Sequence, residues 1–180
     1  MATPRQMFDH TLDAVKGWLP GNMGALDCAA KLSTNVTISP VYAGRVVHKN
    51  DDEEFEMGVT GTQMAIFLFQ NSDDYDVQGD SSDDTQSISP TGVMSGFVAT
   101  GGYEVATTEY DQDQTYHVND VLRAVASNNN ATTGGRLTNA SFTLGTTAGV
   151  GVVSKLPAKN SHKKYVITLW TAYIPGQSGQ

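Results

Sequence analysis

Apolar and polar positions alternate in short runs along most of this chain, and turn-forming residues interrupt the runs every few positions. A period of two marks half-buried β-strands. Residues 101–156 carry the pattern most fully. Tyr103, Glu104 and Val105 lead through Thr107 and Thr108 to Asp111, Gln112, Asp113 and Gln114, where the Asp side chains can bond their own backbone and favour a turn. Tyr116, His117 and Val118 read as the returning strand, and residues 121–125 as the next. A polar tip over residues 127–135, with three Asn, two Thr and two Gly, offers a helix no support. Residues 150–153 are β-branched and glycine-bearing, which fits a strand packed closely against another backbone.

The remaining segments extend this reading in both directions. Residues 1–20 are the exception to the β pattern: Thr3 can cap, Pro4 suits a first helical position, and Phe8, Leu12, Val15 and Leu19 recur at helical spacing beside Trp18, before Pro20 and Gly21 stop the run. Residues 22–34 are Gly- and Ala-rich and ambiguous. Residues 35–47 predict two short strands around the Pro40 kink, residues 48–54 a charged turn, and residues 55–59 another alternating strand. The most apolar run, residues 64–69, predicts the central core strand. After an acidic stretch at 71–87, β character resumes around Pro90 and Gly92. The basic sequence PAKNSHKK at 157–164 predicts a hairpin tip, and residues 165–174 predict a long closing strand, apolar on both faces and so buried or paired with another subunit. No period of 20–50 residues repeats. The expected fold is mainly β, a β-sandwich or small β-barrel with an N-terminal helical arm. Its expected divisions are 1–34 for the arm and linker, 35–175 for the β domain and 176–180 for a flexible tail.

Composition narrows the function classes. The 180 residues are 39% hydrophobic and only 17% charged, and 18 are Gly, so the surface should be neutral-polar, rich in loops, and suited to a particle exterior or repeated assembly. The net charge of −8 disfavours nucleic acid, whose binding draws on Lys and Arg. Arg5, Arg45, Arg123 and Arg136 are scattered, with no basic patch along the sequence. Cys28 is the single cysteine, which excludes an intrachain disulfide and reads as a small buried residue. No apolar run approaches the roughly 20 residues that cross a bilayer, and the N-terminus lacks the features of a secretory signal, so synthesis in a cytoplasm without membrane association is expected.

No arrangement that catalysis requires is evident. His10, His48, His117 and His162 lack zinc-type spacing and read as surface or turn residues. Neither a nucleophile elbow nor a phosphate-cradling glycine loop occurs. Asp74, Asp76, Gln78, Gly79 and Asp80 match early positions of a calcium loop, but Thr85 stands where a bidentate Glu is required. The acidic stretch therefore reads as a solvated loop that keeps a sheet edge from foreign pairing, and Asp111 and Asp113 read as turn residues. No cofactor, metal or catalytic residue is expected. The Asn-x-Ser/Thr sequons at Asn35, Asn130 and Asn139 carry no weight without a secretory route.

The order of the strand segments AGRVVHKN, GTQMAIFLF, GGYEVATTEYDQDQTYHVNDVLRA, GGRLTN, VGVVSK and VITLWTAYIPG resembles the capsid decoration, or cement, proteins of tailed bacteriophages, over about residues 40–175. The resemblance implies a non-enzymatic virion protein, made in the host cytoplasm. It would bind the outside of an assembled icosahedral shell and clamp adjacent major capsid subunits, as a homo-oligomer such as a dimer or trimer. The family offers no catalytic residues to transfer, so contacts are assigned on physical grounds: apolar anchors, multiplied by copy number. Phe8, Leu12, Val15 and Trp18 form the first candidate surface. Leu169, Trp170 and Tyr173 form the second, with plain core packing as their other reading. Two further functions stay open: a tail-, neck- or fibre-associated β protein of the virion, and a carbohydrate- or calcium-binding β-sandwich, suggested by Tyr75, Tyr103, Tyr110, Tyr116 and the acidic loops.

Overall fold

A computed structural model describes residues 12–16, 27–37, 41–68, 93–99, 101–126, 133–161 and 163–176. Among them the chain is mainly β, with eleven strands: β1 (Leu12–Lys16), β2 (Asp27–Lys31), β3 (Val46–Lys49), β4 (Phe55–Met57), β5 (Ile66–Leu68), β6 (Val93–Val98), β7 (Glu104–Thr107), β8 (Val121–Ala124), β9 (Leu137–Thr138), β10 (Gly149–Lys159) and β11 (Tyr165–Ile174). They pair antiparallel in two sheets, a six-stranded one in the order β1-β7-β11-β10-β8-β9 and a five-stranded one in the order β2-β6-β5-β3-β4. The five-stranded sheet is built from the consecutive strands β2 to β6, whereas the six-stranded sheet joins β1, from the start of the chain, to the consecutive strands β7 to β11.

The alternation of the sequence becomes two layers of packing. Val46, Phe67 and Phe97 of the five-stranded sheet share one core with Val105, Leu122, Val150, Ile167 and Leu169 of the six-stranded sheet. Phe67 and Phe97 stack at 5.4 Å, and Tyr103 meets Phe97 edge-on at 5.7 Å. The opposite face of the five-stranded sheet is buried as well, through Val47, Phe55, Met57, Ile66, Leu68 and Met94. A sheet covered on both faces needs strands that are apolar throughout, which is why the run at 64–69 does not alternate. It contains β5, the middle strand of its sheet. Gly151 of β10 fulfils the close approach that its sequence suggested: a Cβ there would lie 2.8 Å from the carbonyl oxygen of Trp170.

The closing strand is paired on both sides within its own chain, with β10 and β7. Its pairing needs are therefore met without another subunit. The basic segment is a hairpin tip, as expected, although β10 runs on through Pro157 to Lys159 and the turn occupies only residues 160–164. The Asp111 carboxylate accepts the Asp113 N–H at 3.1 Å, as its turn composition predicted.

Three expectations are corrected. The helix expected over residues 1–20 is not what residues 12–16 form: Leu12–Lys16 is an edge strand, with Leu12 opposite Thr107 and Ala14 opposite Val105. The helical spacing was locally plausible, but a short isolated helix is marginal, and the open edge of β7 offers it a row of backbone partners. Phe8, Trp18 and the rest of that segment lie outside the described residues, as do residues 71–87 and 177–180. β2, also within the first 34 residues, is an edge strand of the other sheet. Second, Tyr116, His117 and Val118 form no strand; the Tyr116 hydroxyl donates to the Asp111 carbonyl at 2.7 Å, and Asp120 accepts the His117 N–H at 2.8 Å. That bond, with Asn139 donating at 2.9 Å, holds the Asp120 carboxyl below its ordinary pKa. Third, His48 is neither a surface nor a turn residue: it is buried in β3, with Nδ1 2.8 Å from the Gly58 carbonyl oxygen.

Gly58 shows how tightly the layers meet. Its φ is +76°, and a Cβ would lie 2.3 Å from the Val125 carbonyl oxygen. Gly102 has a similarly positive φ, +86°, with nothing within 4 Å. Gly58→Ala is expected to cost about 3 kcal/mol or more, and Gly102→Ala about 1–2 kcal/mol, because only the former adds a backbone collision to the conformational penalty. Thermal or urea unfolding of both variants checks this; equal losses would contradict it.

Candidate functional site

Charged residues distant in sequence converge where the two sheets meet. Arg45, just before β3, and Glu109, just after β7, are each only 1% exposed, and Arg45 Nε donates to Glu109 Oε2 at 2.9 Å. The backbone fixes both ends. Leu137 N–H donates to the Glu109 carbonyl at 3.0 Å, and Glu109 N–H donates to Thr107 Oγ1 at 3.0 Å. Arg45 Nη1 donates to the Gly134 carbonyl at 3.0 Å, and the guanidinium lies 5.4 Å from the Tyr42 ring centroid. Burial pushes the Arg45 pKa down and the Glu109 carboxylate pushes it back up. Guanidinium keeps its proton in proteins, so the pair is ionic.

Arg136 approaches the same carboxylate from the solvent side, its Nε 3.6 Å from Glu109 Oε2. There the protein opens into a cleft of about 360 Å3. Thr108, Glu109 and Gln112 line it from the segment after β7, Arg136 from the segment before β9, and Lys163, Lys164 and Tyr165 from the β10–β11 tip. Asn160 shapes that tip: its carbonyl accepts the Lys163 N–H at 2.9 Å and its side-chain oxygen the Lys164 N–H at 3.0 Å, with Lys163 held at a φ of +61°. Two of the arginines scattered along the sequence, Arg45 and Arg136, thus meet at Glu109, and the basic turn lies beside Arg136. The sequence signals available were the basic run at 157–164 and the turn glycines beside Arg136; nothing in the spacing brings Arg45 to Glu109.

The structure places the contact candidates differently from one another. Leu169 is 0% exposed and belongs to the shared core, so it presents no surface. Trp170, its neighbour, is 41% exposed on the other face of β11, opposite Val152 and Glu104. Tyr173 is half-buried, and its hydroxyl donates to the Thr62 carbonyl at 2.7 Å. Leu12 and Val15 lie in edge strand β1, and Phe8 and Trp18 lie outside the described residues. Leu156 and Tyr165, on the same hairpin as Trp170, are each half exposed. Among the described residues no group of three or more His, Cys, Asp or Glu side chains could hold a metal ion.

The buried pair is expected to act as a unit. Glu109→Ala, which leaves the Arg45 charge buried without its partner, should cost about 3–5 kcal/mol, whereas Arg45→Met combined with Glu109→Leu should cost distinctly less than the two single changes added. Denaturant unfolding of the four proteins in the cycle measures this, and additive losses would show that the pair is not coupled. No family model matches this chain, and neither a characterised protein nor a solved structure matches it.

Proposed function

We propose that this protein is a non-enzymatic β-sandwich of a phage virion that binds the outer surface of an assembled capsid, as a homo-oligomer, and cements adjacent major capsid subunits. The observation that carries the reading is the exposure of Trp170 on β11, a strand held between two neighbours in the middle of its sheet. An exposed tryptophan on a flexible loop must be ordered on binding, at a cost in entropy; one on a doubly paired strand is already positioned. Tryptophan is also among the residues that dominate binding energy at protein interfaces. The low charge content, the two mutually packed sheets and the resemblance of the strand segments to cement proteins support the same reading.

Cementing also fits the mechanical character of this fold. The long β10–β11 hairpin, with antiparallel neighbours on both sides, gives an outward-facing contact residue a continuous hydrogen-bonded support. Many copies on a lattice convert a modest affinity per site into firm reinforcement.

Binding of the purified chain to expanded capsid shells that lack it, followed by co-sedimentation, tests the reading. Trp170→Ala should weaken binding by about tenfold or more while leaving the melting temperature nearly unchanged. Leu169→Ala, by contrast, should lose about 2–5 kcal/mol of stability through its core cavity. Shells that bind Trp170→Ala as tightly as the parent chain, or that bind neither, would overturn it.

A further inference from the structure

We propose that the lysine-bearing end of the β10–β11 hairpin, residues 155–165, docks on the acidic β3–β4 turn, residues 51–54, of a second copy of this chain. This deepens the homo-oligomer element of the proposed function and rests on that reading only there. Its test contains no shells, so the two readings fail separately.

Charge is divided unevenly along the sequence. Residues 121–180 contain no Asp or Glu and carry six Lys or Arg, so the net charge of −8 combines +6 there with −14 over residues 1–120. Opposite blocks within one chain make its copies complementary to one another. Nucleic acid would be repelled by the larger, negative block.

The fold gathers much of the positive block on one projecting element. Beyond Val153, β10 pairs with β11 alone, because its register with β8 is confined to Gly151 and Val152. β7 in turn pairs only with Ile167 to Trp170 of β11. Residues 155–165 are thus a two-stranded ribbon that runs past the end of the sheet. Its outward cations are Lys155, Lys159 and Lys163, all exposed. Lys155 Nζ has Glu104 Oε1 at 3.7 Å, Lys159 Nζ lies 5.2 Å from the Tyr165 ring centroid, and Lys163 makes no ion pair among the described residues. Lys164 is half-buried and already has partners within the chain, so it is not counted. Leu156 and Tyr165 are each half exposed on the same ribbon and add apolar contact area beside the charges.

The complementary surface lies on the other sheet. Asp51, Asp52 and Glu53 are exposed and Glu54 is half-buried, and none of the four makes an ion pair among the described residues. The two turns share one backbone geometry. Asn50 N–H donates to the Glu54 carbonyl at 2.9 Å, and Asn50 Oδ1 accepts the Glu54 N–H at 2.9 Å. Asn160 makes the same two bonds with Lys164, at 2.8 and 3.0 Å. Glu53 and Lys163 occupy equivalent positions, at φ of +62° and +61°. Each tip therefore presents its charge without further ordering, which lowers the entropic cost of bringing the two together. Since hairpin and turn are different surfaces, the contact is heterologous and joins copies head to tail. Exposed ion pairs are individually weak, so association is modest in dilute solution and gains strength from repetition on a lattice.

Sedimentation velocity of the full chain over a concentration series tests the contact. Self-association is expected at about 10 mM salt, where charges act over about 30 Å, and its loss at about 1 M, where they act over about 3 Å. Lys159→Glu with Lys163→Glu, and separately Asp51→Lys with Asp52→Lys, should each weaken association by about tenfold or more. An equimolar mixture of these two chains should associate again, because the reversed hairpin of one meets the reversed turn of the other, although both chains remain net negative. Should a reversed chain not fold by circular dichroism, Lys163→Gln and Asp52→Asn take its place, and each should weaken association severalfold. Absence of association at low salt, association unaffected by the changes in either surface, or a mixture of folded reversed chains that stays monomeric would overturn the proposal.

Discussion

The ion pair between Arg45 and Glu109 is the constraint on which the meeting of the two sheets depends. Arg45 enters β3 of the five-stranded sheet and Glu109 leaves β7 of the six-stranded one, and their side chains meet where water is excluded. Burying two charges costs several kcal/mol per ion unless geometry and further hydrogen bonds compensate. Here they do, through the Gly134 carbonyl, the Tyr42 ring and a contact distance of 2.9 Å. An apolar pair could hold the layers together with equal strength but would permit sliding. A charged pair disfavours any shift that would strand its two charges.

The pair also stands between two regions of the molecule. On its inner side lies the shared aromatic and aliphatic core, and on its outer side the cationic cleft. The β10–β11 hairpin spans both regions: its middle packs Val153, Ile167 and Leu169 into the core, while its tip carries Lys163 and Lys164 to the cleft. Between these, Trp170 faces outward from a strand that cannot move without disturbing its neighbours. One element thus supplies part of the core and the proposed docking residue.

Much of the fold was legible in the sequence. The mainly β character, the central strand at 64–69, the hairpin tip at 157–164, the Asp111 turn and the close approach at Gly151 each follow from local rules of period, turn chemistry or side-chain size. The failures have a common cause. Leu12 and Val15 sit at helical spacing, yet an open strand edge far along the chain determines their conformation. Tyr116 and Val118 have β propensity, but the Asp111 carbonyl and the Asp120 carboxylate hold that segment in a turn. Leu169 and Trp170 are adjacent and both apolar, and only pairing with β7 and β10 decides which one faces the core. The cleft was hidden most completely, because its residues come from three separated segments whose convergence is a property of sheet order.

A protein with a rigid outward-facing tryptophan, a low charge density and a polar β exterior is suited to covering a lattice of identical sites. The proposed capsid role predicts many copies per particle. The decisive measurement is the copy number of this chain relative to the major shell protein in purified parent particles, by quantitative mass spectrometry. Decoration of the whole shell predicts a ratio near one or a simple fraction of it; a handful of copies per particle, or none, would contradict it.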